Sequence, residues 1–114
     1  MIAFLLLAVA VAKAESQQGF EKIIRLDNDE TYVVEMRFAP GAASPLHTHI
    51  YPGRVIYVLQ AGTIEIVPQG GEAKRKALAA GTTIWRPAET HVIKNVGDTE
   101  FRVLEVEVKQ AKKN

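Results

Sequence analysis

The sequence predicts an all-β fold, a single antiparallel sandwich or barrel. Roughly eight short runs of β-branched and aromatic residues are separated by turn signals rich in Gly, Asn, Asp and Pro. After the N-terminal segment, no stretch has an apolar stripe of helical period, and no repeat or internal linker divides the chain. At 114 residues the chain has the size of one domain. This length excludes a Rossmann dehydrogenase or a kinase, which need more than one domain.

The strands are predicted, in chain order, at 23–26, 32–38, 54–60, 63–67, 73–78, 82–86, 92–94 and 101–109. Polar or glycine-containing segments separate them, such as Asp27-Asn28-Asp29 and Ala61-Gly62. We expect 73–78 to be an edge strand. In the last strand Phe101, Val103, Glu105 and Glu107 alternate with the residues between them, which is the two-residue period of a strand.

The N-terminal segment 1–14 is interpreted as a secretory signal peptide. Its only charged side chain is Lys13, and the apolar run from Ile2 is followed by Ala12-Lys13-Ala14, a small-residue cleavage pattern. We expect cleavage after Ala14 and a mature domain of residues 15–114, periplasmic or secreted. The run is shorter than the roughly 17–25 residues of a spanning helix, so no stable membrane anchor is expected. A buried first strand or helix is the alternative.

The charge and cysteine content limit the partners and the chemistry. The chain has 14 Lys+Arg and 13 Asp+Glu, and cleavage would remove Lys13 and leave the two signs balanced. Basic residues cluster only at 74–76 and 109–113, so we expect a small molecule or another protein as partner, and no nucleic acid. With no Cys, a metal site must use His, carboxylate or water.

The predicted strand that begins at Arg54 is apolar on both faces, through Val55, Ile56, Tyr57, Val58 and Leu59. One face can fill the interior of a barrel, but the other also needs cover from water. We therefore expect a homodimer.

The sequence contains three histidines, which are its candidate metal ligands. His47 and His49 stand two residues apart, so on a strand both rings project from the same face. His91 follows later and precedes another predicted strand. Neutral imidazoles are good ligands for Fe, Zn, Cu and Ni. Two exposed strand histidines are the alternative interpretation of His47 and His49 by themselves.

The spacing around the histidines resembles the two-part signature of the cupin superfamily. The matching residues are Gly41, His47, His49, Gly81, Pro87, His91 and Asn95. The resemblance implies a single cupin jelly-roll β-barrel with a divalent metal, often Fe, Mn, Ni, Zn or Cu, at its mouth. By this resemblance, His47, His49 and His91 would be the metal ligands. Gly41 and Gly81 would lie in turns, and Pro87 would begin the strand that leads to His91.

The most consequential departure from the signature is Arg54, which stands where the family has its glutamate ligand. A guanidinium stays charged and cannot be a ligand. At about 5 Å from a divalent ion it would be repelled by about 6–7 kcal/mol at an effective dielectric constant of about 20. Three outcomes stay open. Arg54 turns to solvent or a surface carboxylate, or it binds an anionic ligand in the pocket, or the site no longer binds metal.

Three further residues are candidates for the site. Glu89 precedes His91 by two residues and would share its face on an extended backbone, so it is a candidate replacement for the missing carboxylate. Its alternative role is a surface glutamate. Tyr51 and Trp85 are candidates for the pocket mouth, where Tyr51 would contact substrate together with Arg54. Simple packing is the alternative for both.

Two functions follow from these residues. The first is an exported, small, metal-binding cupin that is dioxygenase-like or another metal-dependent enzyme acting on a small molecule. The second is a non-enzymatic module that binds a small anion or a sugar acid, with a degenerate metal site because Arg54 replaces the glutamate. The direction of Arg54 distinguishes the two, and nothing in the sequence names the substrate, the reaction or the metal.

Overall fold

The computed structural model describes residues 14–110, which form eight β-strands and no helix. The strands are β1 (Ala14–Gln17), β2 (Phe20–Asp27), β3 (Thr31–Phe38), β4 (His47–Gln60), β5 (Gly62–Pro68), β6 (Lys74–Leu78), β7 (Thr83–Asn95) and β8 (Phe101–Val108). The all-β prediction is confirmed. Within this range, no helix of the length and apolarity needed to cross a membrane occurs. Residues 1–13, most of the predicted signal peptide, lie outside the described residues, and Ala14 begins β1.

All strand pairings are antiparallel and join the eight strands in one sheet, in the order β1-β2-β3-β8-β4-β7-β5-β6. The fourteen-residue strand β4 pairs with β8 on one side and β7 on the other. Both neighbours of β4 are therefore distant from it in sequence, and such long-range pairings are typical of a jelly roll. The short strand β6 lies at the edge, as predicted for 73–78.

The interior of the barrel changes from apolar to polar along its length. At one end lies a core of buried residues, namely Phe20, Met36, Phe38, Val58, Ile64, Phe101 and Val103. At the other end the same inward faces carry polar groups. On β8, for example, Phe101 and Val103 are followed on the same face by Glu105 and Glu107, all four buried. The apolar end stabilises the fold, and the polar end is available for chemistry.

Strands β4 and β7 are longer than the sequence predicts. The predicted strand 54–60 is the second half of β4, which begins at His47, and the predicted strands 82–86 and 92–94 are parts of one strand, β7. The expectation that Pro87 opens a strand is wrong, because Pro87 lies inside β7. It sits where the register of β4 and β7 shifts between His49 and Gly53, and such an irregularity tolerates a residue without an N–H group.

Gly41 and Gly81 lie in turns, as predicted. Their φ angles of 79° and 86° lie in the left-handed region that glycine adopts without steric cost. The N–H of Gly41 donates to the carbonyl of Asn95 at 2.9 Å, and that of Gly81 to the carbonyl of Val58 at 2.8 Å. These turns bring the chain into β4 and into β7, the two strands that carry the histidines.

Candidate metal centre

The three histidines come together at the polar end of the barrel. β4 carries His47 and His49 on one face, and the antiparallel register sets His47 opposite His91 of β7. The ring centroids of His47 lie 4.7 Å from those of both other histidines, and those of His49 and His91 are 5.0 Å apart. One nitrogen of each ring lies within 4.8 Å of the other two. The pairing of β4 with β7 thus unites ligands separated by more than forty residues of sequence.

Each histidine turns its Nδ1 towards an oxygen. His49 Nδ1 is 2.6 Å from Glu107 Oε1, and His47 Nδ1 is 2.8 Å from the carbonyl oxygen of Pro45. His91 Nδ1 faces Glu89 Oε1 at 3.7 Å. A neutral imidazole with an acceptor at Nδ1 carries its proton there and presents a lone pair at Nε2. The contacts of His47 and His49 therefore favour a proton on Nδ1, whereas His91 Nδ1 is buried without a hydrogen-bond partner among the described residues.

The three Nε2 atoms face one another. His49 Nε2 and His91 Nε2 are 3.1 Å apart, and His47 Nε2 is buried without a hydrogen-bond partner among the described residues. Two nitrogens bound to one metal at 2.0–2.1 Å are separated by about 2.8–3.4 Å, from octahedral to tetrahedral geometry, so the 3.1 Å spacing fits. A cation at this point would satisfy all three lone pairs. The donor set therefore fits a divalent transition metal.

The protonation states of the histidines also suit metal binding. Burial lowers the pKa of His47, and the hydrogen bond to Pro45 opposes this only in part. Burial and the neighbouring His47 lower the pKa of His91 to about 3, although the charge of Glu89 works in the opposite direction. Both rings are neutral at physiological pH. They need not release a proton before binding a metal.

Arg54 points into the protein and is bound there by carboxylates. Its side chain is 2% exposed, its Nη2 donates to Glu89 Oε2 at 2.7 Å and its Nε to Glu105 Oε2 at 3.2 Å. Its Nη1 donates to the carbonyl of Pro87 at 2.8 Å. Of the first predicted outcome, a turn to solvent or a surface carboxylate, the turn to solvent is wrong: Arg54 contacts carboxylates, of which Glu105 is buried and Glu89 is 16% exposed. The repulsion expected between Arg54 and a metal is offset by two carboxylates that contact the guanidinium directly.

Two cavities border the histidine cluster. One, of about 230 Å³, is lined by His47, His49 and Tyr51 together with apolar residues and Lys22. The other, of about 290 Å³, is lined by His91, Arg54 and Trp85. Tyr51 lies at the cavity beside His47 and His49, and its predicted contact with substrate stays a prediction. Trp85 is 60% exposed, and a side chain at Gly53 would collide with its ring, so Trp85 also packs against the backbone of β4.

A sequence model of the cupin domain matches residues 34–107, which include both strands that carry the histidines. The chain belongs to the cupin family.

One curated protein is similar in sequence, and solved cupin structures agree with this assignment. The β-alanine degradation protein BauB of Pseudomonas aeruginosa is 33% identical over 87 residues, which cover 75% of this chain and 90% of that protein. The crystal structure of a cupin domain from Bordetella pertussis superposes with a TM-score of 0.74 at 29% identity, covering 81% of this chain and 95% of that one. An RmlC-like cupin from Desulfovibrio desulfuricans has a TM-score of 0.64 at 25% identity, with coverage of 96% and 97%.

In this cupin, Glu89 lies behind His91 and not at the point where the three Nε2 atoms meet. It binds Arg54 with one oxygen and Arg86 with both, the shortest Arg86 contact being 2.7 Å. Burial opposes ionisation of Glu89, but the hydrogen bonds from Arg86 and Arg54 outweigh it and lower its pKa to about 2. Glu89 is therefore an anion that neutralises Arg54, and its Oε1 lies 3.7 Å from His91 Nδ1, beyond hydrogen-bond distance.

Sequence reasoning did not assign a role to Glu105 or Glu107, which complete the surroundings of the histidines. Both are buried, and Glu105 Oε1 has no hydrogen-bond partner among the described residues. Burial raises the pKa of Glu105, although His49 and Arg54 work against this. His49, Glu105 and Glu107 form a second group with metal-ligating atoms within 4.8 Å of one another. The signal was present in the sequence, because both glutamates share the face of β8 that carries Phe101 and Val103.

Proposed function

We propose that this cupin is a metal-dependent enzyme that binds a divalent transition metal through Nε2 of His47, His49 and His91 and a small molecule in the adjoining cavity. The observation that carries the proposal is the convergence of the three imidazole rings, of which His47 and His49 turn Nδ1 to an acceptor. Such acceptors behind metal-bound histidines fix the ring orientation and raise ligand basicity. Two exposed histidines on a strand would need none of this arrangement.

The three histidines leave coordination positions for a substrate. A divalent metal with three protein ligands and open positions polarises a carbonyl or similar oxygen when bound. His47 and His49 line the cavity of about 230 Å³, which is smaller than typical drug-binding pockets and suits a molecule of a few carbon atoms. Tyr51 at its edge offers a hydroxyl group that can orient the substrate. The relative named for the degradation of β-alanine is consistent with a substrate of this size.

The alternative, a metal-free module in which Arg54 holds an anion, has less support. The guanidinium already donates to Glu89, Glu105 and the carbonyl of Pro87. An anion would have to compete with both carboxylates in a buried position. We assign Arg54 a different role, in which it helps to keep Glu89 ionised and holds Glu89 and Glu105 in place beside the histidines.

Export and dimerisation belong to the same proposal. The apolar N-terminal segment supports secretion to the periplasm or the medium, with cleavage after Ala14. The exposed apolar side chains Tyr57 and Leu59 on the outer face of β4 support a homodimer.

Elemental analysis of the exported protein tests the metal site. We expect about one equivalent of a transition metal after incubation with Fe, Mn, Ni, Zn and Cu in turn, since one three-histidine site is present. His49→Ala removes one ligand and should abolish stoichiometric binding. Thr48→Ala is the matched control, because the Thr48 hydroxyl contacts Thr90 on the exposed side of β4 and the metal content should not change. N-terminal sequencing of the same sample should read Glu15 first.

Two results would refute parts of this proposal. Wild-type protein with less than about a tenth of an equivalent of every metal would refute the metal site, given the tight binding expected of such ligand sets. An exported protein that retains Met1 would refute cleavage after Ala14 but would leave the metal site untouched.

A further inference from the structure

A lysine points into the barrel next to the histidines. On β2, Lys22 lies opposite Met36 of β3, while Phe20 lies opposite Phe38. Phe20, Met36 and Phe38 are all core residues, so this face of β2 is the inner face. Lys22 is half-buried there. An inward-pointing lysine is unusual on a face that otherwise packs the core. Removing an ammonium group from water costs free energy unless another group interacts with it.

Lys22 lines the cavity of about 230 Å³ together with His47 and His49. Among the described residues that line this cavity, it is the only Lys or Arg. Its Nζ lies 5.4 Å from the centre of the Tyr32 ring, which also lines the cavity. This cation–π contact holds the ammonium group over the ring while leaving its three N–H donors available.

The charges around the cavity favour an anion. Glu105 and Glu107 also line it, but Arg54 binds the first and His49 the second. A divalent metal at the three histidines would add two positive charges. The carboxylate of Glu107 offsets at most one of them, because a metal-bound His49 is neutral, and Lys22 adds one more positive charge. A negatively charged group that reaches both the metal and Lys22 would balance this excess.

We propose that Lys22 binds the carboxylate of a small carboxylic acid whose remainder lies in the cavity beside the metal site. This inference rests on the proposed function, because it places the acid next to the three-histidine centre. A carboxylate accepts charge-assisted hydrogen bonds from an ammonium group, and the apolar walls formed by Phe20, Val34 and Met36 suit a short carbon chain.

Propionate is the probe, and its amide, propionamide, is the neutral control of nearly the same shape. Binding to the Zn²⁺-loaded protein is followed by changes in the amide NMR spectrum. Lys22→Met removes the charge at similar length. We expect it to weaken propionate binding about tenfold to a hundredfold, which is the usual contribution of a hydrogen bond to a charged group. Binding of propionamide and of Zn²⁺ should stay unchanged.

The matched control is Lys76→Met, because Lys76 lines the second cavity and not the first. It should leave propionate binding as in the wild type. If Lys76→Met weakens binding and Lys22→Met does not, the acid binds in the other cavity and the proposal is wrong. Equal affinity of wild type and Lys22→Met also overturns it while leaving the metal site intact.

Failure of the Lys22 proposal can be distinguished from failure of the proposed metal centre. If the wild type takes up neither Zn²⁺ nor any of the other four metals, the metal centre is refuted, and propionate is then titrated into the metal-free protein. Weaker binding by Lys22→Met would still support the lysine as the carboxylate site, and equal binding would overturn it. The same spectra report folding, and Lys22→Gln replaces Lys22→Met if that variant does not fold.

Discussion

At the scale of single residues, Arg54 determines the charge balance beside the metal centre. It stands where the cupin signature has a glutamate ligand, and the protein compensates by placing two other carboxylates on it. Glu89 comes from β7 and Glu105 from β8, so the guanidinium joins the strands on both sides of β4. Negative charge thus stays near the histidines although the ligand position itself is positive.

Arg54→Met should destabilise the protein severely, because it leaves Glu105 buried with no cationic partner and weakens the pairing of Glu89. Breaking a buried ion pair from one side costs about 3–5 kcal/mol of unfolding free energy, which urea denaturation measures. Arg75→Met is the control. Arg75 is 69% exposed and pairs with Glu65 on the surface, so its loss should cost less than about 1 kcal/mol.

The double variant Arg54→Met/Glu105→Gln separates charge from packing. It removes the buried carboxyl group together with its partner, so we expect it to recover part of the stability lost in Arg54→Met. A single variant Arg54→Met within about 1 kcal/mol of the wild type would show that the guanidinium does not hold these carboxylates.

At the scale of strands, Asn95 ends β7 and connects it to the turn before β8. Its side chain is fully buried, its Nδ2 donates to the carbonyls of Phe38 and Thr99, and its Oδ1 accepts from the N–H of Gly97. These three bonds tie β7, the end of β3 and the turn together. The signature residue therefore has a structural role at the apolar end of the barrel, away from the metal ligands.

Asn95→Ala should lower the unfolding free energy by about 2–4 kcal/mol, since it leaves buried backbone groups without partners. Zn²⁺ binding by the folded variant should match the wild type. Asn28→Ala is the control, because Asn28 makes comparable turn contacts in an exposed position where water can replace them. A loss of Zn²⁺ affinity in folded Asn95→Ala would contradict a purely structural role.

Local patterns and distant contacts differ in how far the sequence predicts them. The histidines, Gly41 and Gly81 were predicted because their spacing along one segment reflects the geometry of that segment. The full length of β7 was not predicted, because Pro87 and the polar residues after it indicate a break between two strands. Pairing with β4 overrides this local tendency and keeps β7 continuous. The partners of Arg54 and His49 were also missed. Glu105 and Glu107 lie 51 and 58 residues from them, and only the β4–β8 register unites them.

At the scale of the whole molecule, the outer face of the central strands is more apolar than a solvated surface requires. Tyr57 and Leu59 of β4 are 43% and 37% exposed, and Trp85 of β7 is 60% exposed. Val55 lies opposite Trp85 on one side and Val106 of β8 on the other, so these side chains form one continuous apolar surface. Apolar surfaces of this kind mark protein interfaces, and a second copy offers a matching surface through twofold symmetry.

Leu59→Glu tests this predicted homodimer, with sedimentation equilibrium at micromolar concentration as the measurement. The wild type should have twice the monomer mass. A glutamate on the buried apolar surface would lose its hydration without a partner, so the variant should dissociate at least about tenfold more readily. Leu26→Glu, at a leucine that is 49% exposed on β2, places the same charge outside this surface and should remain dimeric. A monomeric wild type would refute the dimer, and the apolar outer face would then need another partner.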